Sequence, residues 1–154
     1  MDVFPDTGAL LAMLVFPRDQ FRKPTLAGEV SMLLQAGQFN LILGRSVVDE
    51  LDEVLWDRFP AQRTQALTWL KPFADAFTRR PTPAEIEAVM PACTDPFDAP
   101  IFASAIIAKP DIVLSNDFRA FHTPAAKAFW QAHEMRVESL YGLLCTFGLR
   151  QRKD

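Results

Sequence analysis

Short apolar runs alternate along this chain with longer stretches in which apolar residues recur every three or four positions. The runs at 2–6, 39–43 and 111–115 have strand length, and the periodic stretches between them have helix spacing. That alternation predicts an α/β fold, a three-layer α/β/α sandwich with a central parallel sheet. The spacing predicts a strand at 2–6, a helix over 8–16, a polar proline-bounded loop over 17–24, and a helix over 25–36 stopped by Gly37. A strand at 39–43 closes on Gly44. Ser46 is the expected N-cap of a third helix, with Asp49 as its capping-box partner and Val47, Val48, Leu51, Val54 and Leu55 as its apolar face.

A fourth helix is expected over 61–71, ended or kinked by Pro72, followed by a short edge strand at 77–80. Thr82-Pro83-Ala84-Glu85 reads as a cap, a proline in the first turn and a capping-box acid, so a short helix opens there. Asp95-Pro96-Phe97-Asp98 repeats that grammar before a helix reaching Ala108, apolar all round and therefore central. A helix over 124–132, a strand at 135–137 and a helix over 139–147 complete the expectation. No repeat, low-complexity tract or linker interrupts the chain, which reads as one domain over 1–154.

Composition narrows the classes. At 154 residues, 49% hydrophobic and 23% charged, the chain can bury a proper core and is not a disordered type. The longest apolar runs, 9–16 and 101–108, fall far short of the ~20 residues a membrane span needs, and no targeting segment is visible. Cys93 and Cys145 lie far apart, which suggests neither a disulfide framework nor a zinc site. Reduced thiols in a cytoplasmic protein are the expectation. A net charge of −3 does not advertise a polyanion partner, for which the sixteen basic side chains would have to cluster.

Four acids stand at strand ends or helix starts: Asp6, Glu50, Asp98 and Asp117. Singly, each has an ordinary reading as a cap, a first-turn charge or a turn residue. Periodicity allows Glu50 and Asp52 equally, since they flank opposite edges of one apolar stripe. Their common placement changes the balance. In a parallel sheet, sites form outside the carboxyl ends of the strands. Carboxylates gathered there repel one another unless a cation sits among them.

These residues carry a resemblance. Asp6-Thr7-Gly8-Ala9-Leu10-Leu11 resembles the opening of PIN-domain nucleases, and the segment from Ser46 to Leu55 resembles their second acidic motif, with Glu50 before Leu51 as its acid. Asp95-Pro96-Phe97-Asp98-Ala99-Pro100-Ile101 is similar to the third, and Ser115-Asn116-Asp117 to the fourth. The likeness covers essentially the whole chain. It departs at Gly8, where the family often has Asn or Ser, and at Pro5, which cannot donate to a sheet and is expected to weaken the first strand's end. The third motif could rest on Asp95 or Asp98, and Asp98 is preferred because the buried helix follows it directly.

The resemblance implies a Mg²⁺- or Mn²⁺-dependent ribonuclease of the VapC-like toxin type, with Asp6, Glu50, Asp98 and Asp117 holding the metal and Asp95 as an accessory acid. Hard carboxylate oxygens suit those ions. Thr7 and Ser115 would orient the carboxylates. Arg18, Arg22, Lys23, Arg45 and Arg119 are the candidates for RNA contact, each with a solvated surface charge as its ordinary reading. A small antitoxin and a homodimer are the partners the resemblance brings, with no membrane.

Three other readings remain, of which a nucleotide-binding Rossmann domain is the weakest because no G-x-G-x-x-G follows the first strand. An aspartyl phosphotransferase would also place Asp6 after the first strand, but it usually has a second acid where Gly8 stands. A non-catalytic PIN-like module would bind RNA or protein without cutting.

Overall fold

The run Val3-Phe4 is fully buried because β1 (Asp2–Pro5) lies between two other strands, with both faces covered. The computed structural model describes residues 1–153. After β1 come α1 (Thr7–Val15), α2 (Leu26–Gln35), β2 (Asn40–Leu41), β3 (Leu43–Gly44), α3 (Arg45–Arg58), α4 (Pro60–Leu70) and β4 (Phe77–Thr78). They are followed by α5 (Pro83–Val89), α6 (Ala99–Ala108), β5 (Ile112–Leu114), α7 (Phe118–Phe121), α8 (Pro124–Ala132), β6 (Arg136–Glu138) and α9 (Leu140–Thr146). The main sheet has the order β2-β1-β5-β6, parallel throughout. Helices pack on both of its faces, α2 against α1 and α9, and α6 against α3 and α5, which gives three layers.

The strand order reverses at β1. The chain runs outward from β1 to β2, then returns to β5 on the other side. The carboxyl ends of β1 and β5 therefore flank a crevice of the kind that hosts ligands in open parallel sheets. Pro5 does not loosen this end. It pairs with Leu114, and the next residue, Asp6, donates its N–H to the Leu114 carbonyl at 2.9 Å.

The single strand expected at 39–43 is two. Asn40 and Leu41 pair with β1, whereas Leu43 and Gly44 leave the main sheet to pair with Phe77 and Thr78 of β4. Gly44 is needed at the crossing, since a Cβ there would lie 2.9 Å from the Phe4 ring and 3.0 Å from Ser104 Cβ. The third helix starts immediately after it. Its N-cap is Gly44, without a side-chain cap, so Ser46 is an interior residue. Asp49 serves no capping box and instead pairs with Arg80 Nε at 2.6 Å. At Thr82 the expected box is present, Thr82 and Glu85 each capping the other's N–H.

α6 is central as expected, buried from Ile101 to Ala105. Phe102 is fully enclosed and meets the rings of Phe121 and Trp130 at 4.9 and 4.6 Å between centroids. Burial of such a side chain contributes about 2–3 kcal/mol. α7 went unread in the sequence, because one helical turn shows no periodicity. Among the described residues no helix is long and apolar enough to cross a membrane.

Candidate active site

Asp6 is placed by the end of β1 and by its own role as the cap of α1. Its Oδ1 accepts from the Ala9 N–H at 2.7 Å, and its Oδ2 accepts from the Ser115 hydroxyl at the end of β5. Asp117 follows two residues later and caps α7, accepting from the Ala120 N–H at 3.2 Å. Ser115 Oγ in turn accepts from the Asp117 N–H at 3.0 Å, so one hydroxyl ties both acids to β5. The ordinary cap reading of Asp6 is therefore real, Asp117 caps a short helix where a turn was expected, and both also stand in the wall of a cavity.

Glu50 comes from the second turn of α3, and Asp98 stands at the N-cap position of α6 without capping it. Asp6, Glu50, Asp98 and Asp117 all line that one open cavity, of about 340 Å³, together with Thr7, Gly8, Ala9, Ile101, Phe121 and Leu140. No lysine or arginine is among its lining residues. Asp52, the alternative on the same helix, faces away and is held by Arg63 at 2.8 Å. Asp95 is exposed, accepts from the Phe97 N–H at 3.0 Å and does not line the cavity.

The electrostatics are those of crowded, uncompensated negative charge. Burial pushes the Asp6 carboxyl up to about 6 against the opposing pull of Ser115 and Ala9, with Asp117 and Glu50 adding repulsion. Asp98 is also pushed to about 6, first by burial, then by repulsion from Asp95, Asp117 and Glu50. Burial raises Glu50 too, partly offset by the nearby Thr7 hydroxyl. That hydroxyl nonetheless makes no hydrogen bond of ordinary geometry and is buried without a partner.

Two observations test the fit of a divalent cation here. The donor set is all hard oxygen, and the buried Thr7 Oγ1 at the cavity wall lacks a partner that a bound water would supply. As the side chains stand, no three histidine, cysteine, aspartate or glutamate groups among the described residues are gathered tightly enough to hold an ion. Both oxygens of Asp6 and one of Asp117 are turned to protein donors. The chemistry of the site fits the cation. Closure around one would require side-chain movement.

The basic candidates lie outside the cavity. Arg18 donates to the Arg22 carbonyl at 2.8 Å within the 17–24 loop, which an antiparallel bridge between Arg18 and Pro24 closes. Arg22 and Lys23 are exposed in that loop, and Arg45 lies 4.9 Å over the Phe77 ring. Arg119 is exposed on α7, two residues past Asp117. Asn116 is a wall residue that sequence reasoning passed over. Its Oδ1 accepts from the Leu140 N–H at 2.8 Å and pins the start of α9 beside the acids. Its place between Ser115 and Asp117 was the available signal.

A family model described as PIN domain matches residues 2–119, a span that contains all four acids. No curated protein matches the chain in sequence. Among solved structures, a chain of VapBC2 from Rickettsia felis, bound to a DNA fragment from their promoter, is similar in fold. It is 13% identical with a TM-score of 0.53, and the match covers 90% of this chain and 98% of that one. The chain belongs to the PIN domain family.

Proposed function

We propose that this protein is a divalent-cation-dependent ribonuclease that hydrolyses phosphodiester bonds of RNA. The supporting observation is the shared cavity. Four carboxylates from four separate junctions line it, no basic side chain balances them, and two are pushed up to about 6. Asp6, Glu50, Asp98 and Asp117 would hold Mg²⁺ or Mn²⁺ directly or through water. A divalent ion in such a site supplies positive charge for the phosphate and lowers the pKa of a bound water.

The chain's own residues do the positioning. Ser115 and the Ala9 N–H fix the Asp6 carboxylate, and Ser115 also fixes the backbone at Asp117. Thr7, with its unpartnered hydroxyl at the wall, is suited to orient a water. Ile101, Phe121 and Leu140 form an apolar wall that limits solvent and strengthens the electrostatics within. Arg119 is the best placed of the five basic candidates to meet a phosphate, by its position on the helix that Asp117 caps.

The same reading makes the chain the toxin of a pair, with a small antitoxin and a homodimer as partners. The fold likeness to a VapBC2 chain supports this. Growth arrest by this protein, relieved by a small co-expressed partner, tests the pairing, and no growth effect counts against it.

The nuclease reading is tested by incubating single-stranded RNA with the protein in Mn²⁺, in chelator, and with Asp6→Asn. Asparagine still caps a helix, so the substitution removes charge and not the cap. Cleavage in Mn²⁺ alone is expected. Folded protein that neither binds the ion nor cleaves overturns the proposal and leaves a non-catalytic binding module, and cleavage that persists in Asp6→Asn overturns the role of this site.

A further inference from the structure

Phe118 stands between two recesses of opposite character. The residue before it, Asp117, lines the acidic cavity, while Phe118 itself lines a second cleft of about 480 Å³. Lys127, Arg152 and Lys153 line that cleft, with Glu138 as its acid. Glu138 Oε1 already accepts from Arg152 at 3.0 Å and has Arg136 at 3.8 Å, so among the described residues the cleft carries surplus positive charge.

The aromatic ring is backed on one face. Phe118 stacks on His122 with centroids 4.4 Å apart and planes inclined by 28°. His122 Nε2 donates to the Ser115 carbonyl at 2.7 Å, the same residue whose hydroxyl holds Asp6. One face of the ring pair is thus used, yet Phe118 remains 59% exposed. A wetted aromatic face beside a basic wall is the arrangement on which unpaired bases stack while their phosphates are neutralised.

We propose that this second cleft seats the unpaired nucleotide adjoining the scissile phosphate, its base on Phe118 and its backbone against Lys127, Arg152 and Lys153. The inference rests on the nuclease reading of the neighbouring cavity and adds to it a subsite for one base and its phosphate. A base held within a duplex offers no free face to the ring.

Binding is measured by fluorescence anisotropy of a short labelled RNA on wild-type protein in chelator, where no turnover is expected, with the same RNA in duplex form for comparison. Phe118→Ala and Phe118→Leu should weaken single-strand binding roughly tenfold, with Phe118→Tyr close to wild type. Lys127→Ala with Lys153→Ala should flatten the log–log salt dependence by about 1.4, two contacts at about 0.7 each. These side chains are exposed, and thermal melts of the variants check that they fold. Unchanged binding in the variants, equal affinity for duplex, or full affinity in Phe118→Leu with loss only in the lysine variant overturns the proposal, the last pointing to an acidic peptide instead. The two readings fail separately. Intact single-strand binding without metal-dependent cleavage strikes the nuclease, and cleavage with unaffected cleft variants strikes the cleft.

Discussion

Ser115 Oγ donates a hydrogen bond to Asp6 Oδ2, joining two buried side chains 109 positions apart in sequence across the β1–β5 junction. The bond lowers the Asp6 pKa against a larger rise from burial, so it stabilises the ionised acid where water is scarce. Ser115→Ala leaves that oxygen without a donor. The expected cost is about 1–3 kcal/mol of folding stability, read by chemical denaturation. Affinity for Mn²⁺ should also fall about 10- to 100-fold, as when an orienting partner of a ligand is lost. Unchanged stability and affinity would show that Asp6 is held by the Ala9 N–H alone.

The raised carboxyls set a pH dependence of definite sign. Asp6 and Asp98 are pushed up to about 6 in the folded protein, above the ordinary value near 3.9. The folded state therefore binds protons more tightly than the unfolded one. The stabilisation is fully present below about pH 4 and is lost as pH rises through about 6. In chelator, this contribution should lower the melting temperature between pH 5 and 7.5. Mn²⁺ should reverse the fall at the upper end by binding the ionised acids. Stability that climbs through this window in chelator would contradict the burial of uncompensated charge.

Asp95 and Asp98 differ in placement. Asp98 lines the cavity and caps nothing, whereas Asp95 caps a short turn at the surface and acts on the site only through repulsion. Asp98→Asn should reduce RNA cleavage at least 100-fold, on the order expected for loss of a group that stabilises the transition state. Asp95→Asn should leave cleavage within a few-fold and bring the Asp98 pKa down. Equal losses in the two variants, measured by single-turnover cleavage, would return the third motif to Asp95.

Gly44 is a packing constraint that reaches the site. Gly44→Ala would drive a methyl against the buried Phe4 ring and Ser104 at the point where α3, bearing Glu50, begins. A loss of about 1–3 kcal/mol is expected from overpacking. Chemical denaturation checks it, and a neutral result would mean that the β3 crossing can shift without cost.

Much of this was legible from residues alone, and the failures have physical reasons. Val3-Phe4 and Ile112 to Leu114 read as buried strands because both faces are covered, so their apolar runs are unbroken. The split at Ile42 was invisible, since local pattern carries no record of the pairing between Leu43 and Phe77 across the fold. Ser46 looked like a cap, but close approach of Phe4 and Ser104 fixed the helix start at Gly44 instead. The acids were placed at the right junctions. The cap expected at Asp6 is present as well, and Asp117, expected as a turn residue, caps α7. Arg152 and Lys153 lie far from any acidic motif in sequence, and only folding brings them beside Phe118 and Lys127.

Calorimetric titration of Mn²⁺ into wild-type protein and into Glu50→Gln, Asp98→Asn and Asp6→Asn tests the shared cation most directly. A cation held in common predicts binding in the wild type that each substitution weakens by tenfold or more, despite their origin on three different elements. Binding that is absent from the folded wild type, or indifferent to all three substitutions, would contradict it.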